Sequence, residues 1–216
     1  GCRMPGPTTI IAGYHDLHEC HPIRPLVYLT HGVDQTYAEH PSHPSHAGGK
    51  QRDRVGLFLV PNEASATKER ATYPKARVEV IGCPRLDAFP AELRPLHDPL
   101  VVAFAWHWDA PIVPESRWAF PEWRHHMVAL AQSGEVRVIG TGHPRLWGQF
   151  QAFYDRHGIE AVADPNEVLD RADVVCFDNT SLGYEAMATG LGVVGLNASW
   201  YRREVHHGLR FWDLAP

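Results

Sequence analysis

Strand-length apolar runs alternate with helix-length amphipathic stretches along this chain, and they do so twice, with a proline-rich break between. That rhythm constrains the fold more than any other feature. A strand, a helix and a second strand cannot close as a hairpin. The crossover makes the strands parallel, and parallel sheets carry helices on their faces. The first round reads as strands over Thr8–Tyr14, Leu26–Thr30 and Val55–Val60, then a helix over Asn62–Tyr73, then a strand over Arg77–Ile81. Asn62 is the expected cap of that helix, with Glu63 in its first turn. Leu86–Leu100, with Pro90, Pro95 and Pro99 set among charges, reads as a linker. The second round reads as a strand over Leu100–Trp106 and a helix over Glu115–Gln132, interrupted or restarted at Pro121. A strand over Glu135–Gly140, a helix over Leu146–His157, a strand over Ile159–Ala163 and a short helix over Pro165–Arg171 follow. The chain then gives a strand over Val174–Phe177, a helix over Ser181–Thr189 ended by Gly190, and a strand over Gly192–Leu196.

The expected fold class is therefore α/β, with two Rossmann-like lobes of parallel sheet, residues 1–97 and 98–216. The first lobe is thin, because its strands fall short of the roughly five or six usual in a sheet. A length of 216 residues suits one large domain or two small ones. No apolar run approaches the roughly 20 residues that span a bilayer, and no basic-then-apolar leader opens the sequence. A cytoplasmic protein without membrane insertion is the expectation. The chain begins at Gly1-Cys2-Arg3 without an initiator Met, which leaves room for an upstream segment. Net charge is −5 with the 15 histidines neutral, which argues against a broad nucleic-acid surface. Cys2, Cys20, Cys83 and Cys176 are scattered and form no C-x-x-C pair, as expected of reduced structural thiols.

Three places where a strand gives way to a polar turn carry the candidate chemistry, since ligands of α/β sheets gather at the carboxyl ends of strands. In Asp178-Asn179-Thr180-Ser181, followed by Glu185, an apolar strand runs straight into a helix. Backbone N–H groups, the hydroxyls of Thr180 and Ser181 and the helix dipole would suit a phosphate there, with Glu185 reaching a ribose. The plainer reading is a capped helix. Thr141-Gly142-His143-Pro144-Arg145 offers His143 and Arg145 to the same phosphates, or else forms an ordinary turn. Leu29-Thr30-His31-Gly32 places His31, a natural general base near neutral pH, after a strand of the first lobe. The basic, aromatic tail from Trp200 to Trp212 either lines a cleft or packs on the sheet.

Taken in order, these pieces resemble the CDP-glycerol glycerophosphotransferase-like group of GT-B glycosyltransferases. The resemblance rests on His31-Gly32, on Gly82-Cys83-Pro84-Arg85-Leu86-Asp87 as a G-x-P-R-x-D pattern, and on His143-Pro144. It rests also on Ala172-Asp173 through Asp178-Asn179-Thr180-Ser181 as A-D-x-x-x-x-D-x-S-S, and it runs from about Val27 to Asn197. Phe104-Ala105-Trp106-His107-Trp108 stands where the group has a P-T-W-R strand end. The resemblance implies a GT-B fold with an interlobe cleft and a nucleotide-diphosphate-linked donor, UDP-sugar or CDP-glycerol in type. His31 would be the catalytic base. His143, Arg145, Asp178, Asn179, Thr180, Ser181 and Glu185 would bind the donor, with Gly32, Arg85, Asp87 and His107 in the cleft.

The expected reaction moves a group from the donor to an acceptor hydroxyl on a polymer, a small molecule or a modified DNA base. The last would suit a phage enzyme acting on a hydroxymethylated base. No cofactor or metal is expected to be required. His40, His43 and His46 sit in a proline-rich loop without nearby cysteine, and read as a loop over the acceptor side hinged at Gly48-Gly49 rather than as a metal site. Two rival readings stand beside the transferase: an isomerase like the UDP-sugar 2-epimerases, with Asp34 and Asp87 as cleft carboxylates, and a non-catalytic nucleotide-binding remnant of the fold.

Overall fold

A computed structural model of the chain describes residues 9–12, 26–30, 32, 49–89, 94–109 and 117–199. These residues fall into two compact units, one ending at Arg85 and one starting at Leu86.

The first unit holds a four-stranded sheet of β1 (Thr9–Ala12), β2 (Leu26–Leu29), β3 (Val55–Val60) and β4 (Arg77–Val80), in that order and parallel throughout. Helix α1 (Glu63–Thr72) links β3 to β4, and Asn62 caps it as expected, its side-chain oxygen accepting from the Ser65 N–H at 2.9 Å. Phe58 and Val60 are fully buried, and the Phe58 ring stacks on Tyr73 with centroids 5.0 Å apart. One cation lies inside this core. Arg52 is 4% exposed, pairs with Glu69 at 3.2 Å, donates to the Tyr28 hydroxyl at 2.5 Å and lies over the Tyr28 ring. Those partners offset the cost of taking a charge out of water.

The second unit is a five-stranded parallel sheet ordered β7-β6-β5-β8-β9. Its strands are β5 (Val101–Trp106), β6 (Arg137–Gly142), β7 (Glu160–Ala161), β8 (Val174–Phe177) and β9 (Gly192–Gly195). The helices are α2 (Phe120–Ser133), α3 (Trp147–His157), α4 (Pro165–Arg171) and α5 (Leu182–Ala188). β5 comes first in sequence and lies in the middle, with every side chain buried. The chain builds outward to β6 and β7, then returns to β5's other edge for β8 and β9. The core beneath is aromatic: Phe120 meets Trp106 and Phe150 edge to face, each at 5.3 Å. Gly183 is fixed by space, since a Cβ there would stand 2.2 Å from the buried Phe177 ring.

Two expectations need correction. The second-lobe helix starts at Phe120, because Pro121 has no N–H to give and fits the first turn, where none is required. The stretch expected as a linker is strapped to the second unit over its described part. Arg94 donates to the carbonyls of Leu169 and Ala172, and the His97 ring meets Asp173 at 2.9 Å. Whereas the sequence suggests a boundary at 97/98, the compact units divide after Arg85. No helix among the described residues is long and apolar enough to cross a membrane.

Candidate functional site

β5 and β8 are hydrogen-bonded neighbours, yet the chain leaves them toward opposite edges of the sheet. The loops that follow them must part, and the crevice between is where ligands of such sheets settle. His107, Trp108 and Asp109 follow β5, His143-Pro144-Arg145 follows β6, and Asp178 to Ser181 follow β8.

Asp178 ties these ends together. It is 2% exposed, and its carboxylate accepts from the His107 N–H at 2.7 Å and the Ala119 N–H at 3.0 Å. Burial pushes its pKa up to about 7, against the restraint of N–H groups from Ala119, His107 and Thr180. Asp178 thus holds the turn after β8 to the end of β5 and the start of α2, with no oxygen turned to solvent.

Two histidines meet beside it. The rings of His107 and His143 lie 5.6 Å apart, edge to face. His143 Nδ1 accepts from the Arg145 N–H at 3.1 Å, so the neutral ring carries its proton on Nε2. His107 Nδ1 lies 2.9 Å from the Trp108 carbonyl, which can only accept, so that ring carries its proton on Nδ1. One ring therefore presents Nε2 as a donor and its neighbour presents Nε2 as an acceptor. The Arg145 guanidinium lies over the Trp108 indole at 4.2 Å from its centre, in the cation–π range.

The turn after β8 divides its polar groups. The Asn179 side-chain amide donates to the Arg117 carbonyl at 3.0 Å, and the Thr180 hydroxyl accepts from the Leu182 N–H at 3.5 Å. Ser181 occupies the cap position of α5 but makes no capping hydrogen bond with its side chain. Its hydroxyl is half-buried and open to a ligand. Glu185 is 1% exposed. The cysteine of β8, Cys176, is buried, and burial pushes its thiol up to about 12, so it stays protonated.

The structure thus brings His107, His143, Arg145, Asp178, Asn179, Thr180 and Ser181 to one edge of the second sheet. Arg85 and Asp87 lie on the turn Pro84–Ala88, before that sheet begins. Gly32 stands beyond the end of β2 with φ 58°, a left-handed backbone that glycine adopts without strain. His31, Asp34, the His40/His43/His46 loop and the tail from Trp200 lie outside the described residues. Among the described residues no group of three His, Cys, Asp or Glu side chains could hold a metal ion.

Two features of the rim were not visible as site residues. Arg117 pairs with Asp109 through two bonds, Nε to Oδ1 at 2.8 Å and Nη2 to Oδ2 at 3.1 Å. Trp108 serves as the platform under Arg145. The second had a signal, a tryptophan directly after His107. The first had none, since an Asp and an Arg eight positions apart follow no periodicity.

No protein-family model matches the sequence, and no curated protein matches it. The fold does match solved structures. A structure of the wall teichoic acid polymerase TagF soaked with CDPG superposes with a TM-score of 0.54 at 13% identity, over 81% of this chain and 50% of that one. The UDP-GlcNAc 2-epimerase of Methanocaldococcus jannaschii superposes with a TM-score of 0.51 at 13% identity, over 92% of this chain and 63% of that one. The chain spans about half the length of the TagF chains it matches. At these identities the likeness concerns the fold, two parallel α/β units of the GT-B kind with a reduced first unit.

Proposed function

We propose that the chain is a GT-B-type transferase that binds a nucleoside-diphosphate-linked donor in the crevice between the ends of β5 and β8. The observation that carries this reading is the Asp178 carboxylate bonded to the His107 and Ala119 N–H groups, with the His143 ring 5.6 Å from His107. This brace fixes the rim that carries Arg145, His143 and Ser181. Helix α5 has only seven residues, so its dipole is short and the side chains carry more of the phosphate's charge. Burial of Asp178, with its pKa moved to about 7, also reduces the repulsion a phosphate would meet from a full negative charge.

In the proposed reaction His31 takes the proton of an acceptor hydroxyl, and that oxygen attacks the transferable group of the donor. The bond to the nucleotide breaks, and the nucleotide leaves with the electron pair. A glycosyl transfer releases the nucleoside diphosphate, and a glycerophosphate transfer releases the monophosphate. In this reading the Arg145 guanidinium, the His143 ring and the Ser181 hydroxyl take up the charge that develops. Calorimetry with CDP, UDP and GDP tests the site: one of them binds, and His143→Ala with Arg145→Ala weakens it at least tenfold. Intact protein that binds none refutes the reading. His31→Ala is expected to keep nucleotide affinity and lose turnover, and unchanged turnover would remove His31 from the reaction.

A further inference from the structure

We infer that Arg117 is a second cation for the donor's diphosphate, held on Asp109 until it is exchanged from that carboxylate onto phosphate. The inference rests on the donor reading above. Its starting point is placement. The Arg117 carbonyl accepts from Asn179 in the turn after β8, and Ala119, two residues on, is bonded to Asp178. Asp109 lies two residues beyond His107, whose N–H is bonded to the same Asp178. The backbone on each side of the Arg117–Asp109 pair is therefore fixed to the rim of the crevice. The pair itself is only partly covered, its side chains being 42% and 25% exposed. An ion pair open to water contributes little net stability and exchanges readily.

Charge points the same way. A diphosphate brings more negative charge than Arg145 alone offsets, and Arg145 already shares its face with Trp108. The guanidinium fork that grips the two Asp109 oxygens has the geometry that grips two phosphate oxygens. Asp109 is then a competitor: it keeps the cation in position and is displaced by the ligand.

A purely structural clasp and a competing carboxylate predict opposite signs for one substitution. The full-length chain, titrated by calorimetry with CDP and with UDP, is compared with Arg117→Gln, Arg117→Lys and Asp109→Asn. If Arg117 serves the diphosphate, Arg117→Gln weakens nucleotide binding about tenfold or more, and Arg117→Lys by less, since the charge stays and the fork is lost. Asp109→Asn tightens binding several-fold, because the competitor is gone. Asp109→Asn weakening binding as much as Arg117→Gln does would overturn the inference, as would an Arg117→Gln protein that binds like the wild type. A thermal melt of each variant identifies any that unfolds, and Arg117→Lys then carries the comparison. Wild-type protein that binds neither nucleotide overturns the donor reading and this inference with it, an outcome distinct from the other two.

Discussion

Asp178→Asn tests the brace of the candidate site, and the magnitude follows from the carboxyl's surroundings. Burial holds its pKa at about 7, against 3.8 for a free aspartate. Between those values the folded protein keeps a proton that the unfolded chain has released. The unfolded state then binds fewer protons, so folding stability falls as pH rises. The group contributes its full stability below about pH 3.8, and that contribution is gone above about pH 7. At about 1.4 kcal/mol per pH unit over roughly three units, the loss is about 4 kcal/mol. Asn cannot ionise, so this slope vanishes in the variant. The substitution has its own cost, because the Asn NH2 must face one of the two N–H donors at 2.7 and 3.0 Å that the carboxylate accepts. One lost bond and one buried unpaired donor cost about 1–3 kcal/mol. Urea denaturation at pH 4.5, 6 and 8 should therefore show Asp178→Asn less stable than wild type at pH 4.5, with the gap narrowing or reversing by pH 8. Parallel stability curves for the two proteins across that range would refute the reasoning.

Three further outcomes follow from the packing. Gly183→Ala places a methyl group against the Phe177 ring, which is 1% exposed and cannot turn away, and should cost about 1–3 kcal/mol in urea denaturation. Glu69→Ala strands the Arg52 cation in the first unit and should destabilise that unit by about 3–5 kcal/mol, read from its urea midpoint, whereas Glu69→Gln keeps an acceptor and costs less. Asp173 runs opposite to Asp178: burial would raise its pKa, but the Val101 N–H and the His97 contacts outweigh burial and hold it below its ordinary 3.8. Its stabilisation is present above about pH 3.8 and is lost as acid protonates it, so Asp173→Asn should flatten the fall of the melting temperature below pH 4.

The elements were legible in the sequence because their signals are local. Val55–Val60, Pro165–Arg171 and Val174–Phe177 need only an apolar run and its flanking breakers, and the structure returns those bounds. What the sequence hid depends on partners far along the chain. Glu185, one turn into a helix, lies on the face of α5 turned to the core. Leu86–Leu100 reads as a linker from its prolines, but Arg94 and His97 find partners more than seventy positions away. Arg117 and Asp109 pair eight positions apart, with no period in the sequence to betray them.

The A-D-x-x-x-x-D stretch has a clear packing role. Asp173 and Asp178 bracket the four residues of β8. Each turns its carboxylate to the neighbouring strand: Asp173 accepts the Val101 N–H at 2.7 Å where β5 begins, and Asp178 accepts the His107 N–H at 2.7 Å just past its end. β8 thus grips β5 at both ends, at the place in this parallel sheet where the order of strand addition switches from one side of β5 to the other. A crevice opened by topology needs such a lock, because the loops on its two sides share no covalent continuity. The aspartates hold the ends of β5 and β8 together. Substitution of either aspartate should therefore move stability and its pH dependence, since each carboxylate is buried and bonded to the neighbouring strand.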